Sequence, residues 1–212
     1  MFFKKKKKGI KLPDKVWMNK TEKFRGLYDH LDSALQSGVP LLIINQFENT
    51  RQEVQQMMEK LKVNHQQFDS LTDTLEDVGV LMVATEDILL IASNTLLASQ
   101  LASKAGLQII ITEHHPSYQE EQMLLAHLTQ ILPGYSAVAF TALDEPFMQF
   151  FGGPRIITLM ERIGMKENES LEHKMISKSI ARAQRRIDDD RVGSGQAESQ
   201  QAWMEQHGFV KE

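Results

Sequence analysis

Glu113, His114 and His115 stand in a row at the end of the apolar run "IIIT" (109–112). A carboxylate and two imidazoles are the groups of a metal site or of an acid/base pair. Their spacing argues against a shared metal. On an extended chain neighbouring side chains point to opposite sides, and Pro116 holds His115 toward extended geometry. His65, His127 and His173 lie near ordered elements, with no spacing that joins them to the pair. No H-E-x-x-H occurs, so no metal is expected. The plain alternative is a strand-end loop with polar residues at its edge. Asp73, Asp77 and the run Asp188–Asp190 read as solvated surface.

Phosphate chemistry is tested next. No G-x-x-x-x-G-K-S/T or G-x-G-x-x-G is found, and no G-x-S-x-G elbow. The apolar runs at 39–46 and 78–84 lead into "QFENT" and "TEDILL", which carry no glycine. A phosphate cradle needs the close backbone approach that glycine allows. With no cysteine in the chain, disulfides, thiolate metal sites and a cysteine nucleophile are excluded.

The elements around these residues follow from hydrophobic period. Residues 20–37 predict a helix with Leu27, Leu31, Ala34 and Leu35 inward, stopped by Gly38. "VPLLIINQF" (39–47), "VGVLMVAT" (78–85), "LQIIIT" (107–112) and "YSAVAFTAL" (135–143) read as strands, with a weaker one at 63–68. Thr50 and Glu53 suggest a capping box opening a helix to about Leu61, with Val54, Met57, Met58 and Leu61 inward. Residues 89–106 read as a strand start followed by a helix. Residues 117–131 read as a helix with Met123, Leu124, His127, Leu128 and Ile131 on one side. Buried strands alternating with helices define an α/β class, a three-layer sandwich around a mainly parallel sheet of about five strands. A helical appendage follows. Asp144 caps a helix through Phe151, 155–163 form another, and 172–190 a third. That third helix sets Met175, Ile176, Ile180, Ala183 and Ile187 opposite Lys174, Lys178, Arg182, Arg185 and Arg186. The expected units are a basic tail (1–14), the α/β domain (15–143), the helical extension (144–190), and a flexible linker with a terminal helix docking Trp203 and Phe209 (191–212).

The chain has 212 residues, 42% hydrophobic and 25% charged, with a formal net charge of −4. That balance does not mark a nucleic-acid binder. No apolar run approaches the ~18 residues of a membrane helix, and the opening "MFFKKKKKGIKLP" lacks the apolar stretch of a secretory signal. The Lys4–Lys8 run beside Phe2 and Phe3 reads as a solvated tail, and is the one candidate for membrane contact. A cytoplasmic location is expected.

The order of these pieces resembles SecA, the motor ATPase of bacterial preprotein translocation. The stretch "FFGGPRIITLMERIGMKENESLEHKMISKSIARAQRRI" (150–187) carries most of the resemblance, through Ile163-Gly164-Met165, Glu167–Glu169, Leu171-Glu172-His173 and Ala183-Gln184-Arg185-Arg186. "FTALDEPFMQFFGG" (140–153) and "KVWMNKTEKFRGLYDHLDSALQSGVPLLI" (15–43) are similar to the end and the entry of the second motor domain. The resemblance implies a RecA-like fold over 15–143 and the start of the helical scaffold after it. It also implies a nucleotide site in which an I-G-T-E-R-H strand end precedes a helix bearing Q-x-x-G-R-x-G-R-x-G. Thr112, Glu113, His115 and Gln122 occupy matching positions, but Leu124, Ala126 and Thr129 stand near the finger arginines, and no arginine lies between Arg51 and Arg155. An apolar side chain cannot supply a fixed positive charge. Nothing in these residues resembles the first motor domain, which holds the Walker lysine and the Mg²⁺ ligands.

The expectation is a SecA-like accessory or binding protein without independent ATP hydrolysis and with no cofactor, ATP being the one candidate. Its partner would be Sec machinery or a second copy. The interaction surface would comprise Phe150, Phe151, Arg155, Met160, Met165, Glu172, His173, Arg182 and Arg185. Two other readings remain: a nucleotide-binding half-motor completed by another ATPase domain, and a helicase-like nucleic-acid module.

Overall fold

The computed structural model describes residues 10–68, 79–193 and 195–209. Its sheet contains six strands: β1 (Asp14–Trp17), β2 (Leu41–Asn45), β3 (His65–Gln67), β4 (Val80–Ala84), β5 (Gln108–Ile111) and β6 (Ser136–Ala142). They are ordered β1-β6-β5-β2-β4-β3, and every neighbouring pair is parallel.

Parallel strands covered on both faces must be apolar in both directions, and β2 is buried throughout. Alternation sends Leu42, Ile44, Leu81, Val83, Ile109 and Ile111 to one face, and Leu41, Ile43, Val80, Met82 and Ile110 to the other. The first face is covered by α3 (Thr85–Ser93), α4 (Thr95–Ala102) and α5 (Tyr118–Ile131), through residues such as Ile88, Leu97 and Leu125. The second is covered by α1 (Lys20–Gln36) and α2 (Glu48–Lys60), through Leu27, Leu31, Val54 and Met58. The result is a three-layer α/β/α domain around a parallel sheet.

A third apolar cluster sits beyond the carboxyl ends of the strands. It joins Met18, Phe47 and Leu143, each just after a strand, to α6 (Pro146–Phe150), α7 (Gly153–Arg162), α8 (Lys174–Asp190) and α9 (Gln200–Gln206), through Phe147, Met160, Ile180, Ile187 and Trp203. Val16 and Leu171 exchange backbone hydrogen bonds of 3.1 and 2.8 Å. The helical extension therefore seats on the end of the sheet.

Several expectations are corrected. The sheet has six strands rather than five because the short, half-polar "DKVW" adds to the edge at β6. Residues 89–106 hold no strand. Asn94 accepts from the amides of Leu96 and Leu97 and so starts α4 directly after α3. α2 starts at Glu48 with Phe47 in the cap position, which leaves Thr50 in the first turn. Glu145, not Asp144, precedes α6. On α5 Leu125 joins Leu124, Leu128 and Ile131 inward, whereas Met123 is 50% exposed. Leu61 and Met175 are exposed as well. The segment after Arg191 is tied down, since the Asn49 amide donates to Glu198 O at 2.9 Å. Phe2, Phe3, Lys4–Lys8, Asp73 and Asp77 lie outside the described residues.

Candidate functional site

In open parallel sheets ligands bind beyond the carboxyl ends of the strands. There, residues 112–117 leave β5 and turn into α5. Thr112 fixes the exit: its hydroxyl donates to Ile44 O at 3.2 Å and to Asn45 Oδ1 at 3.0 Å, stitching β5 to β2. Ser117 caps α5, its hydroxyl accepting from the Glu120 amide. The same hydroxyl donates to Asp188 Oδ1 of α8 at 2.6 Å, and Asp188 Oδ2 accepts from the Gln119 amide.

Between those points the chain has left β5, and three consecutive side chains go three ways. His114 is buried between two carboxylates, with Nε2 2.5 Å from Asp14 Oδ1 of β1 and Nδ1 2.7 Å from Glu121 Oε2 of α5. Burial opposes its charge, but Glu121 and Asp14 overcome this and hold its pKa well above 6.5. Charged, it donates from both nitrogens, which leaves no lone pair for a metal. Among the described residues no group of three or more His, Cys, Asp or Glu side chains is placed to hold a metal ion.

Glu113 is hydrogen-bonded to the Thr50 side chain of α2 and lies in the field of Lys23 of α1. It is buried with one oxygen unpartnered. Burial raises its pKa to about 7, opposed by Lys23 and assisted by Glu145. Lys23, 2% exposed, donates to Glu145 Oε1 at 2.5 Å and to Thr112 O at 2.9 Å. His115 takes the third direction. It stacks on Phe47 at 5.5 Å between centroids and meets the edge of Trp203 at 5.1 Å. Its Nδ1 accepts from the Ser117 amide, and burial lowers its pKa to about 3. It is a neutral, stacked ring.

Helices from the extension close the loop over. Gln184 of α8 donates to His115 O at 2.8 Å. Gln200 of α9 donates to His114 O at 2.9 Å and accepts from the Phe147 amide at 2.8 Å. A cleft of about 420 Å³ remains nearby, between the ends of β2 and β4 and the segment leading to α9. Its charges are mixed. Arg51 is bound to Glu48 at 2.7 Å and Arg191 lies 3.8 Å from Asp188, while Glu86 and Glu120 also line the wall.

Of the residues marked from the sequence, Thr112, Glu113 and His115 meet at the end of β5. Gln122 does not: it faces the incoming chain, accepting from Ile10 N and donating to Ile10 O. At the finger positions Leu124 is core, while Ala126 and Thr129 are exposed. On the expected interaction surface, Arg155, Glu172, His173, Arg182 and Arg185 are exposed. Phe150 is 40% exposed, and Phe151 and Met165 are half-buried. Met160 is corrected: at 1% exposure it belongs to the third cluster, not to a surface.

The sequence reading missed Asp14, Lys23, Glu121, Glu145, Gln184 and Gln200. Two carried a signal. Lys23 lies one turn before Leu27, and Glu121 one turn before Leu125, so both are charges on apolar helix faces.

The described residues form a three-layer α/β domain with helices seated on the carboxyl end of its parallel sheet, and the likeness to known proteins comes from sequence comparison. Over 191 residues the chain is 29% identical to the protein translocase subunit SecA of Phocaeicola vulgatus, and 28% identical to that of Bacteroides fragilis. Over 188 residues it is 27% identical to that of Lachnoclostridium phytofermentans. Each match covers 85% of this chain. The chain spans only 17% of the length of the first two relatives. No family model matches the chain. The C-terminal part of the Fun30 ATPase domain superposes on 77% of this chain and 54% of that chain, with TM-score 0.41 and 10% identity, too remote to bear on function.

Proposed function

We propose that this chain is a SecA-like binding module related to preprotein translocation that does not hydrolyse ATP by itself. One observation carries the reading. In the strand-end loop where a motor domain would meet phosphate, Thr112, Glu113, His114, Pro116 and Ser117 are buried, the carbonyls of His114 and His115 are held by Gln200 and Gln184, and only the half-buried His115 ring borders the neighbouring cleft. The helix behind it offers no arginine or lysine. Charge stabilisation of a transferring phosphoryl group needs a fixed cation aimed at it. The buried cations here, His114 and Lys23, are instead each paired with carboxylate. What remains for function is the outer surface of the 144–190 extension, and a component of the translocation machinery in the cytoplasm is the partner that the SecA likeness favours.

Isothermal titration with ATP and ADP tests the first half, with no binding tighter than about 0.1 mM expected, a limit of roughly 5–6 kcal/mol. A dissociation constant tighter than about 0.1 mM would overturn it. Affinity capture from native lysate tests the second half, and recovery without any Sec component would sink the link to translocation. The half-motor reading draws on the cleft, because Arg51 and Arg191 face it. Both arginines have carboxylate neighbours, and with Glu48, Glu86 and Glu120 in the same wall the cleft does not favour a polyphosphate.

A further inference from the structure

The outer face of α8 carries a row of charges that the packing of the fold does not explain. Lys174, Lys178, Arg182 and Arg186 follow one another at four-residue intervals, about 6 Å apart along the axis, and all four are exposed. Arg185 adds a fifth charge, with its guanidinium 3.9 Å from the centre of the Tyr118 ring. Among the described residues no carboxylate pairs with Lys174, Lys178 or Arg182. The nearest candidate in sequence, Glu172, lies against Lys15 instead, and Arg186 reaches only Asp190, at 3.6 Å. The core side of the helix is separate, formed by Ile180, Gln184 and Ile187.

The polarity of this ridge opposes the stability of the helix. α8 has no acidic residue in its first turn and no basic residue in its last. Lysines crowd the positive end of the helix dipole and Asp188–Asp190 crowd the negative end, which is the unfavourable order. The dipole and the lysines therefore reinforce one another as a positive field over the N-terminal half. Within that field Met175 is 67% exposed, seven residues before Arg182 on the same face. An apolar side chain set among cations suits a protein partner. A nucleic-acid strand or an anionic bilayer is negative along its whole length and would meet Asp189 at the far end of the same face, whereas a protein segment can change sign along its length.

We propose that the outer face of α8 docks an acidic helical segment of a protein partner, with carboxylates at four-residue spacing opposite Lys174, Lys178 and Arg182 and an apolar residue over Met175. The proposal rests on the binding-module reading and names the chemistry of its partner. It is tested with the full chain and a labelled helix-forming peptide bearing three Glu at four-residue spacing, a Leu beside them and a Lys one step beyond, read by fluorescence anisotropy at low and physiological salt. The controls are the same peptide with Gln for Glu, a poly(U) oligonucleotide, and phosphatidylglycerol vesicles.

The Glu peptide is expected to bind at least about tenfold more tightly than the Gln peptide, as several surface charge pairs acting together would give, and to weaken with salt. The triple variant Lys174→Glu, Lys178→Glu, Arg182→Glu should lose that preference while melting no lower than the parent, because Glu suits the N-terminal end of a helix. Lys174→Arg with Lys178→Arg should retain it. Equal binding of both peptides, an undiminished preference in the triple variant, or tighter binding to poly(U) or to vesicles overturns the proposal. An ATP hydrolysis assay on the same samples separates the two readings: turnover together with a Glu-dependent peptide signal sinks the non-hydrolysing reading and leaves the α8 surface standing.

Discussion

Two stretches at the same end of the same sheet are built in opposite ways. Beyond β5, residues 112–117 are sealed: His114, Lys23 and their carboxylate partners are almost wholly buried, and two glutamines from the extension cover the backbone. Beyond β2 and β4, a cleft of about 420 Å³ stays open, with Arg51 and Arg191 in its wall and the His115 ring where it borders the β5 loop. A buried ion pair is weak evidence for stability, yet breaking one is expensive, because the remaining charge has nowhere to go. The sealed side is thus committed to structure and cannot be remodelled one residue at a time. The open side carries its charges in partial solvent and tolerates change.

The sharpest way to break this contrast is to remove a buried cation. Lys23→Met strands Glu145, and His114→Leu strands both Asp14 and Glu121. Each is expected to lower unfolding free energy by about 3–5 kcal/mol. Arg51→Met on the open side should change it by less than about 1 kcal/mol. Chemical denaturation of the three variants measures the difference, and equal losses would erase the distinction.

The second effect is on pH dependence. The folded chain holds the His114 proton more tightly than the unfolded chain, so that stabilisation is full below pH 6.5 and fades as pH rises through the folded-state value. Glu113, raised from 4.5 to about 7, keeps a proton that the unfolded chain has released, so it also loses stability as pH rises through that window. His115, lowered from 6.5 to about 3, refuses a proton that the unfolded chain takes up, so it loses stability as pH falls through its own window. Each group contributes a slope of about 1.4 kcal/mol per pH unit inside its window. Between pH 4.5 and 6.5 Glu113 and His115 oppose one another, which predicts a stability maximum on the acid side of neutrality. Glu113→Gln should remove the loss that Glu113 contributes between pH 4.5 and about 7, so that stability rises with pH up to 6.5 under His115 alone, seen in denaturant midpoints. An unchanged profile would mean that Glu113 is ionised in the folded state.

The sealed side was also the harder to read. β2, β4 and β5 were legible because strands buried on both faces are unbroken apolar runs. β1 was not, since "DKVW" is four residues long, half polar, and a strand only because β6 lies beside it. "LLIAS" misled for the opposite reason: its apolar run suits a strand, and the Asn94 cap that makes two helices of the region is a local hydrogen-bonding signal that hydrophobic period ignores. At the site, sequence located Glu113, His114 and His115 but not their partners. Asp14 lies 100 residues from His114, and Glu145 lies 122 from Lys23. Only strand order brings such residues together, and no spacing encodes strand order.

A smaller test concerns the cover. Gln200 spans the seal, donating to His114 O and accepting from the Phe147 amide, at 4% exposure. Gln200→Ala leaves a buried carbonyl and a buried amide without their partner, which costs about 1–3 kcal/mol. Amide hydrogen exchange at Phe147 reports the loss locally. If exchange there is unchanged, α9 does not hold the loop.

The smallest expected effect bears on the central claim. A motor domain's arginines could be restored to α5 at two positions without disturbing the core, because Ala126 and Thr129 are exposed while Leu124 is buried against the sheet. Ala126→Arg and Thr129→Arg, singly or together, should shift stability by no more than about 0.5 kcal/mol each. They should also leave ATP turnover at background. A guanidinium accelerates phosphoryl transfer only where a phosphate can reach it in line, and here the loop in front of α5 is closed by Gln184, Gln200 and the stacked His115. Turnover above background in the double variant would show that a phosphate reaches α5 in line and would overturn the proposal that the chain does not hydrolyse ATP. Turnover that appears only once Gln200→Ala is added would overturn it too, and would assign the closure to the α9 cover.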